Sequence, residues 1–297
     1  MATLYTQQDS NVRKTWLLIS VFLIIIIGLG FAFSYILNNQ VILYIAVIFS
    51  LVMNGISFWY SDKIALKMSG ATLADPGRYR DLHNLVENLA LTAGLPKPRV
   101  YIINEAAPNA FATGRNKDKA AVAVTTGLLD RLDRTELEGV IAHELAHIGN
   151  RDILLSTLVV VLVGFVALLS DLFIRFTFFG GGRGGDRGGS AQVILLVVGI
   201  GLAILSPIVA TIIQLAISRK REFLADATGA LLTRYPEGLA SALEKISGYS
   251  GEVKRASNAT AHLYIASPFG AGGRRGFHKL FMTHPPVAER IAALRMK

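Results

Sequence analysis

Cysteine is absent from this 297-residue sequence. That excludes disulfides, a thiol nucleophile and thiolate metal ligands, so any bound metal must be held by His, Asp or Glu. Charge is also scarce. Asp, Glu, Lys and Arg make up 17% of the chain, against about a quarter in soluble globular proteins. With 52% hydrophobic residues and a mean hydropathy of +0.46, the chain is neither disordered nor an ordinary soluble domain. Acidic residues are the poorer side of the charge balance, 21 against 30 basic, for a net +9. Such a surplus serves either nucleic acid or the cytoplasmic flanks of a membrane protein, and its distribution decides which.

What the sequence does have is long apolar runs. Four stand out, at residues 16–37, 41–60, 153–174 and 193–217. Each is near the ~20 residues that a helix needs to cross ~30 Å of hydrocarbon. Such runs are helical in lipid because a helix satisfies its own backbone polar groups. The first is too long for a signal-peptide core, and only Asn38–Gln40 separates it from the second, so the pair reads as a tight membrane hairpin. Arg13 and Lys14 precede the hairpin, while Lys63, Lys67, Arg78 and Arg80 follow it. The fourth run ends at Ser218-Arg219-Lys220-Arg221. The positive-inside rule therefore puts these flanks in the cytoplasm. Against this orientation, the glycine-rich link between runs three and four carries Arg175, Arg183 and Arg187; these two runs could instead form a partly embedded or buried hairpin. Because the basic residues lie beside apolar runs, no nucleic-acid partner is expected.

The expected organisation has four parts and no internal repeat. Residues 1–60 form the N-terminal membrane hairpin and 153–217 the second hairpin. The polar segments 61–152 and 218–297 are each too short to be comfortable alone, and should pack together as one discontinuous cytoplasmic domain. In the first segment, residues 81–93 read as an amphipathic helix stopped by Gly94 and Pro96. Residues 99–103 and 120–125 are short β-rich runs, with Asn109-Ala110-Phe111-Ala112-Thr113-Gly114 between them.

The chemistry lies in Thr135–His147, TELEGVIAHELAH. Thr135 with Glu138 has the form of a capping box, so a helix is expected to start there. His143 and His147 are then one turn apart on one face. Two imidazoles so placed can bind one Zn²⁺, and Glu144 beside them can hold the water, as in the H-E-x-x-H pattern. A third protein ligand is needed, with one position left open for water. Downstream, Glu222 could supply it, and Asp226 could accept a hydrogen bond from the far nitrogen of a ligand His. Local helix pairing is the plainer account of Glu222 and Asp226 taken alone.

These pieces together resemble the HtpX family of membrane zinc metalloproteases, relatives of the CAAX prenyl endopeptidases within the gluzincins. The likeness runs through the N-terminal hairpin, residues 109–114, His143–His147 continuing to Asn150-Arg151-Asp152, the two further apolar runs, residues 218–226, and Thr283-His284-Pro285-Pro286 with Glu289-Arg290-Ile291. It implies that His143, His147 and Glu222 hold one zinc ion, that Glu144 is the catalytic base, and that Asp226 steadies a ligand His. It implies a mainly α integral membrane protein, its transmembrane helices joined to a discontinuous cytoplasmic α+β zincin-like catalytic domain with a small β-sheet. His284 is the candidate donor to the tetrahedral oxyanion, with Arg290 as competitor. Asn109, Ala110 and Phe111 are candidates for holding an extended substrate by backbone hydrogen bonds. His83, His262 and His278 lack partners at useful spacing and read as structural or surface residues.

The expected protein is thus a zinc-dependent endopeptidase of the bacterial inner membrane, facing the cytoplasm. Quality control of damaged membrane proteins under stress is its expected task, with polypeptides and the bilayer as its partners. Two alternatives stand beside this. One is an enzyme processing lipidated C-termini, for which four runs look too few to wall a chamber. The other is a non-catalytic scaffold with a structural zinc, which would need no base such as Glu144.

Overall fold

The computed structural model describes residues 4–36, 38–179, 219–257, 259–269 and 285–296. The expected fourth apolar run, the glycine-rich link before it, His278 and His284 lie outside these residues.

Two long helices open the chain, α1 (Leu4–Ile36) and α2 (Val41–Met68). Both outrun the apolar segments that seed them. Neither Gly nor Pro interrupts residues 4–15 or 61–68, so the polar flanks continue the helical path until Gly70, at φ +68°, ends it. Asp9–Tyr35 and Val41–Met68 are long and apolar enough to cross a membrane. Their packing inverts the pattern of a soluble protein. On α2 the buried stripe is Ser50, Asn54, Ser57 and Ser61, while Ile45, Ile48, Leu51 and Trp59 are exposed. Small and polar residues let membrane helices approach closely where lipid already satisfies apolar ones. Gly30 of α1 sits so near Ala46 that a side chain there would collide with it.

Beyond the hairpin come four short strands, β1 (Ala71–Leu73), β2 (Arg99–Ile103), β3 (Ala110–Thr113) and β4 (Ala121–Thr125). Their spatial order is β1-β2-β4-β3, with β2 and β4 parallel and the other pairs antiparallel. β3 is an edge strand. Helix α3 (Arg80–Thr92) buries Leu82, Leu85, Val86 and Leu89 at helical spacing and ends before Gly94, at φ +65°. Then follow α4 (Thr126–Arg131), α5 (Arg134–Gly149) and α6 (Ile153–Phe179). The described chain closes with α7 (Arg219–Thr233), α8 (Pro236–Ser247) and α9 (Val287–Arg295).

One apolar core joins Val86 of α3, Val122 of β4, Leu145 of α5, Leu243 of α8 and Leu294 of α9. It therefore draws on residues from both sides of the third apolar run. A second cluster packs Leu155, Leu158 and Leu162 of α6 on Leu18, Phe22 and Ile26 of α1. The salt bridge from Arg99 to Asp62, 2.7 Å long, ties the sheet to the end of α2. Between α5 and α6 the chain bends by 87°. Arg151 takes a left-handed φ of +57° at this corner.

Helix α5 is the hub, and its glycines are not equivalent. A Cβ on Gly139 would stand 2.6 Å from the Leu239 nitrogen and 2.8 Å from its Cα, both backbone atoms of α8. On Gly149 the nearest atom would be a Leu95 methyl at 3.9 Å. Replacing helical Gly by Ala gains about 1 kcal/mol of propensity, whereas overpacking against backbone costs about 1–3 kcal/mol. Gly139→Ala should therefore lower the thermal unfolding midpoint in detergent, and Gly149→Ala should leave it unchanged or raise it. Equal effects from the two would contradict the tight α5–α8 contact.

Candidate metal centre

The helix carrying the two histidines starts earlier than its sequence suggests. Asp133, not Thr135, is the cap: its carboxylate accepts from the Glu136 N–H at 2.9 Å, and Glu136 Oε2 accepts from the Asp133 N–H at 2.9 Å. Thr135 instead donates its hydroxyl to Asp133 at 2.7 Å, and Glu138 pairs with Arg134. The reciprocal box closes one turn with two hydrogen bonds to charged groups. It outcompetes the Thr135–Glu138 alternative because it satisfies the donors that the helix N-terminus actually leaves open.

From that start α5 delivers His143, Glu144 and His147 to one place, and α7 crosses it there. The crossing is close. Gly229 lies over the backbone of Ala142 and His143, where a Cβ would be 2.9 Å from the His143 nitrogen. Glu222, on the first turn of α7, thereby reaches both rings. The Nε2 atoms of His143 and His147 are 3.1 Å apart, and the Glu222 carboxylate lies 3.9 Å from the first and 3.7 Å from the second. One atom from each residue falls within 4.8 Å of the other two.

The donor set can be tested against a metal. Tetrahedral zinc with bonds of ~2.0–2.1 Å separates its ligand atoms by ~3.3 Å. Two ring nitrogens at 3.1 Å, with a carboxylate less than 1 Å beyond that spacing, fit such an ion without a change of backbone. The outer nitrogens are also accounted for. His143 Nδ1 is 2.9 Å from Asp226, and His147 Nδ1 is 3.0 Å from Asp152. Carboxylates there fix each ring's tautomer and turn both Nε2 lone pairs to the centre.

Arg290, fully buried, holds Asp226 by a two-pronged pair, with Nε and Nη2 donating at 2.8 and 2.7 Å. Its Nη1 donates to the Ile265 carbonyl at 2.8 Å. Burial works against ionisation of Asp226, but the Arg290 guanidinium outweighs it and brings the carboxyl down to about 2. Burial keeps the His143 imidazole neutral, below its usual range. The same burial is overridden at His147, where Asp152, Glu222 and Glu144 raise the ring to about 10. Negative charge thus gathers around the paired rings. Burial pushes Glu144 up to about 7, even with a hydrogen bond from the Ala112 backbone. A carboxyl poised near neutrality can both take and return a proton.

The free space at the centre is a cavity of about 30 Å³. Ala112, His143, Glu144, His147, His262 and Tyr264 are among its lining residues. That is room for about one water molecule. Of the residues proposed for substrate, Asn109 and Ala110 are already engaged: Asn109 Nδ2 donates to the Ala266 carbonyl at 3.1 Å, and the Ala110 carbonyl accepts from the Ile265 N–H at 3.0 Å. Phe111 is buried edge-to-face against Tyr264. The β3 residue at the cavity is the next one, Ala112. Two residues with no role assigned from sequence belong here. Asp152 was visible as part of the family resemblance and as the residue before an apolar run, and its reach to His147 depends on the bend between α5 and α6. His262 is buried, lines the cavity and contacts the Ser156 carbonyl at 2.8 Å, and a lone His between Ala and Leu gave no signal of it.

Known proteins share both the sequence and this architecture. The model of peptidase family M48 matches residues 76–297. A protease HtpX homolog of Caldanaerobacter subterraneus is 50% identical over 297 residues, which is 99% of this chain and 97% of the relative. One of Thermoanaerobacter pseudethanolicus is 49% identical over 296 residues, with 99% and 97% covered. Among solved structures, the crystal structure of S. mikatae Ste24p aligns with a TM-score of 0.50 at 20% identity, covering 95% of this chain and 66% of that one. A likeness of that kind supports the fold, and the family match and the two close relatives carry the assignment. The chain belongs to peptidase family M48, among the HtpX proteases, and is a membrane metalloprotease.

Proposed function

We propose that the protein is a zinc-dependent endopeptidase that cuts misfolded or damaged membrane proteins at the cytoplasmic face of the bacterial inner membrane, as part of a stress response. The observation that carries this reading is the His143–His147–Glu222 triangle with the buried Glu144 beside it, six residues before a helix of the membrane region begins.

One Zn²⁺ per chain, held by His143, His147 and Glu222, would supply Lewis acidity and make a water molecule acidic enough to react near pH 7. The chain does the rest. Glu144 accepts the proton of the attacking water and hands it to the leaving amine, for which a carboxyl near 7 is suited. Asp226 and Asp152 keep the two imidazoles oriented. Arg290 holds Asp226 and donates to the Ile265 carbonyl, and its guanidinium also lies 3.5 Å from His143 Nε2 and 3.8 Å from Glu222. Our assignment for the donor to the developing oxyanion is His284, with Arg290 as its competitor. A substrate strand would align along β3 at the Ala112 carbonyl, since the outward groups of Asn109 and Ala110 are already paired and the Ala112 N–H serves Glu144. Recognition through the backbone tolerates many sequences, as a quality-control protease requires. The basic residues flanking α1 and α2 favour a cytoplasmic site.

Glu144→Gln should lower casein cleavage by about 10²–10⁴-fold with zinc still bound, measured by proteolysis alongside metal analysis. Unchanged cleavage would remove Glu144 from its role. Glu222→Ala should lose zinc. Zinc binding should also expel protons. Below about 10 the metal-free His147 carries a proton, and Glu144 is half-protonated near 7, so both must give up protons to a bound cation. Calorimetry at pH 7 in buffers of different ionisation enthalpy should find about one to two protons released per zinc. No release would mean that His147 and Glu144 are already deprotonated at pH 7. In proteoliposomes, a destabilised membrane protein should be cut in preference to its folded form; cleavage of soluble peptides alone would overturn the substrate assignment.

A further inference from the structure

A buried side chain of the first membrane helix reaches into the catalytic domain. Asn11, on α1, is 1% exposed. Its Nδ2 donates to the backbone carbonyl of Asn150 at 3.1 Å, 139 residues away. Its Oδ1 accepts from Nη1 of Arg221 at 3.2 Å, 210 residues away. Asn150 is the C-cap of α5, the helix of His143 and His147. Arg221 immediately precedes Glu222 on α7. A single amide therefore joins the end of one ligand helix to the start of the other.

The chemistry suits an amide and little else. The Asn150 carbonyl belongs to a helix terminus, where no intrahelical donor remains, so it needs an N–H from outside. Arg221 is 5% exposed, and a buried guanidinium needs acceptors. Asn supplies one donor and one acceptor from the same rigid plane. Aspartate could only accept, and alanine would leave both partners unmet. The held guanidinium also lies in the field of Asp152, which orients His147, and of Glu222 itself.

We propose that Asn11 is a positioning residue of the metal centre: by bridging the Asn150 carbonyl and Arg221 it sets the spacing of α5 and α7, so that the three-residue cluster assumes its geometry only with the first membrane helix seated. This rests on the reading of His143, His147 and Glu222 as zinc ligands. It gives the N-terminal helix a role beyond anchorage. Detachment of α1 would loosen the grip on the metal although no ligand lies on it.

The test uses the full-length protein in detergent, stripped of metal, with zinc affinity read by competition with a chromogenic chelator. Asn11→Ala should raise the zinc dissociation constant about tenfold or more, the range for outer partners of metal ligands. Thr15→Ala, one turn along the same helix and buried, loses only a hydrogen bond within α1 and should stay within about twofold. An unchanged constant for Asn11→Ala, or an equal loss in both variants, would overturn the proposal. A second measurement does not depend on the metal. The chain has no cysteine, so spin labels on Thr135→Cys and Leu231→Cys report the α5–α7 distance alone. Asn11→Ala should shift or broaden that distance in the metal-free protein, and an unaltered distribution would also overturn the proposal. Parental zinc affinity in Glu222→Ala would instead mark the metal reading as the failure, and the label distance would still decide the role of Asn11.

Discussion

The close crossing of α5 and α7 is the contact on which the rest of the structure depends. Two histidines one turn apart are a local feature that any helix could offer. The third arm comes from a residue 75 positions further on, and it can reach only if the two backbones nearly touch. Gly229 makes that possible by placing hydrogen where a methyl would meet the His143 nitrogen. Gly139 does the same between α5 and α8. Helix axes normally lie about 8–10 Å apart, and bare glycine faces allow the near end of that range. The propensity lost at each glycine, about 1 kcal/mol, is the cost of bringing the cluster together.

Burial is the second constraint. The cluster gathers four carboxylates, from Glu144, Asp152, Glu222 and Asp226, around two rings with almost no solvent. Unpaired buried charge is costly enough that groups neutralise rather than remain ionised. The structure divides this problem. Arg290 answers Asp226 in a two-pronged pair, Arg221 lies in the field of Asp152 and Glu222, and Glu144 is displaced towards its neutral form. A divalent cation is the natural complement to what is left. The same desolvation that makes Glu144 a poor permanent anion makes it a workable proton carrier, so the electrostatic cost of the site and its chemistry share one origin.

Much of this was legible in the chain, and the residues that were not share a reason. His143, Glu144 and His147 are fixed by a spacing of four on a helix. The strands at 99–103 and 121–125 and the helix stopped by Gly94 follow from period and punctuation. The start of α5 was misread because Thr135–Glu138 and Asp133–Glu136 are both three-residue spacings of suitable types, and sequence does not say which one closes. Asp152, Arg290 and Asn11 were harder in kind. Asp152 reaches His147 because the chain turns by 87° between them. Arg290 meets Asp226 across 64 residues, and Asn11 meets Arg221 across 210. Such partners leave no periodic trace. Asn109 to Phe111 mark the right strand, but the residue at the cavity is one further on, because a neighbouring segment already occupies the outward groups of the first two.

The bend between α5 and α6 also bears on where the chemistry happens. Three residues separate the two helices, so the last turn of α5 and the first turn of α6 are neighbours in space. A right-angled turn there means that if α6 runs along the membrane normal, α5 lies nearly in the membrane plane. A helix in that attitude keeps His143 and His147 at one depth, whereas a continuous helix would separate them by ~6 Å along the normal at ~1.5 Å per residue. Asn11 sits near the N-terminal end of α1 and touches both α5 and α7, which holds the centre at the level where the first membrane helix emerges. The stripe of Ser50, Asn54, Ser57 and Ser61 marks the buried face of α2, where small side chains let neighbouring helices approach closely, while Leu18, Phe22 and Ile26 seat α1 on α6 by apolar packing. A protease built this way holds the His143–His147–Glu222 cluster at a fixed height relative to its membrane helices.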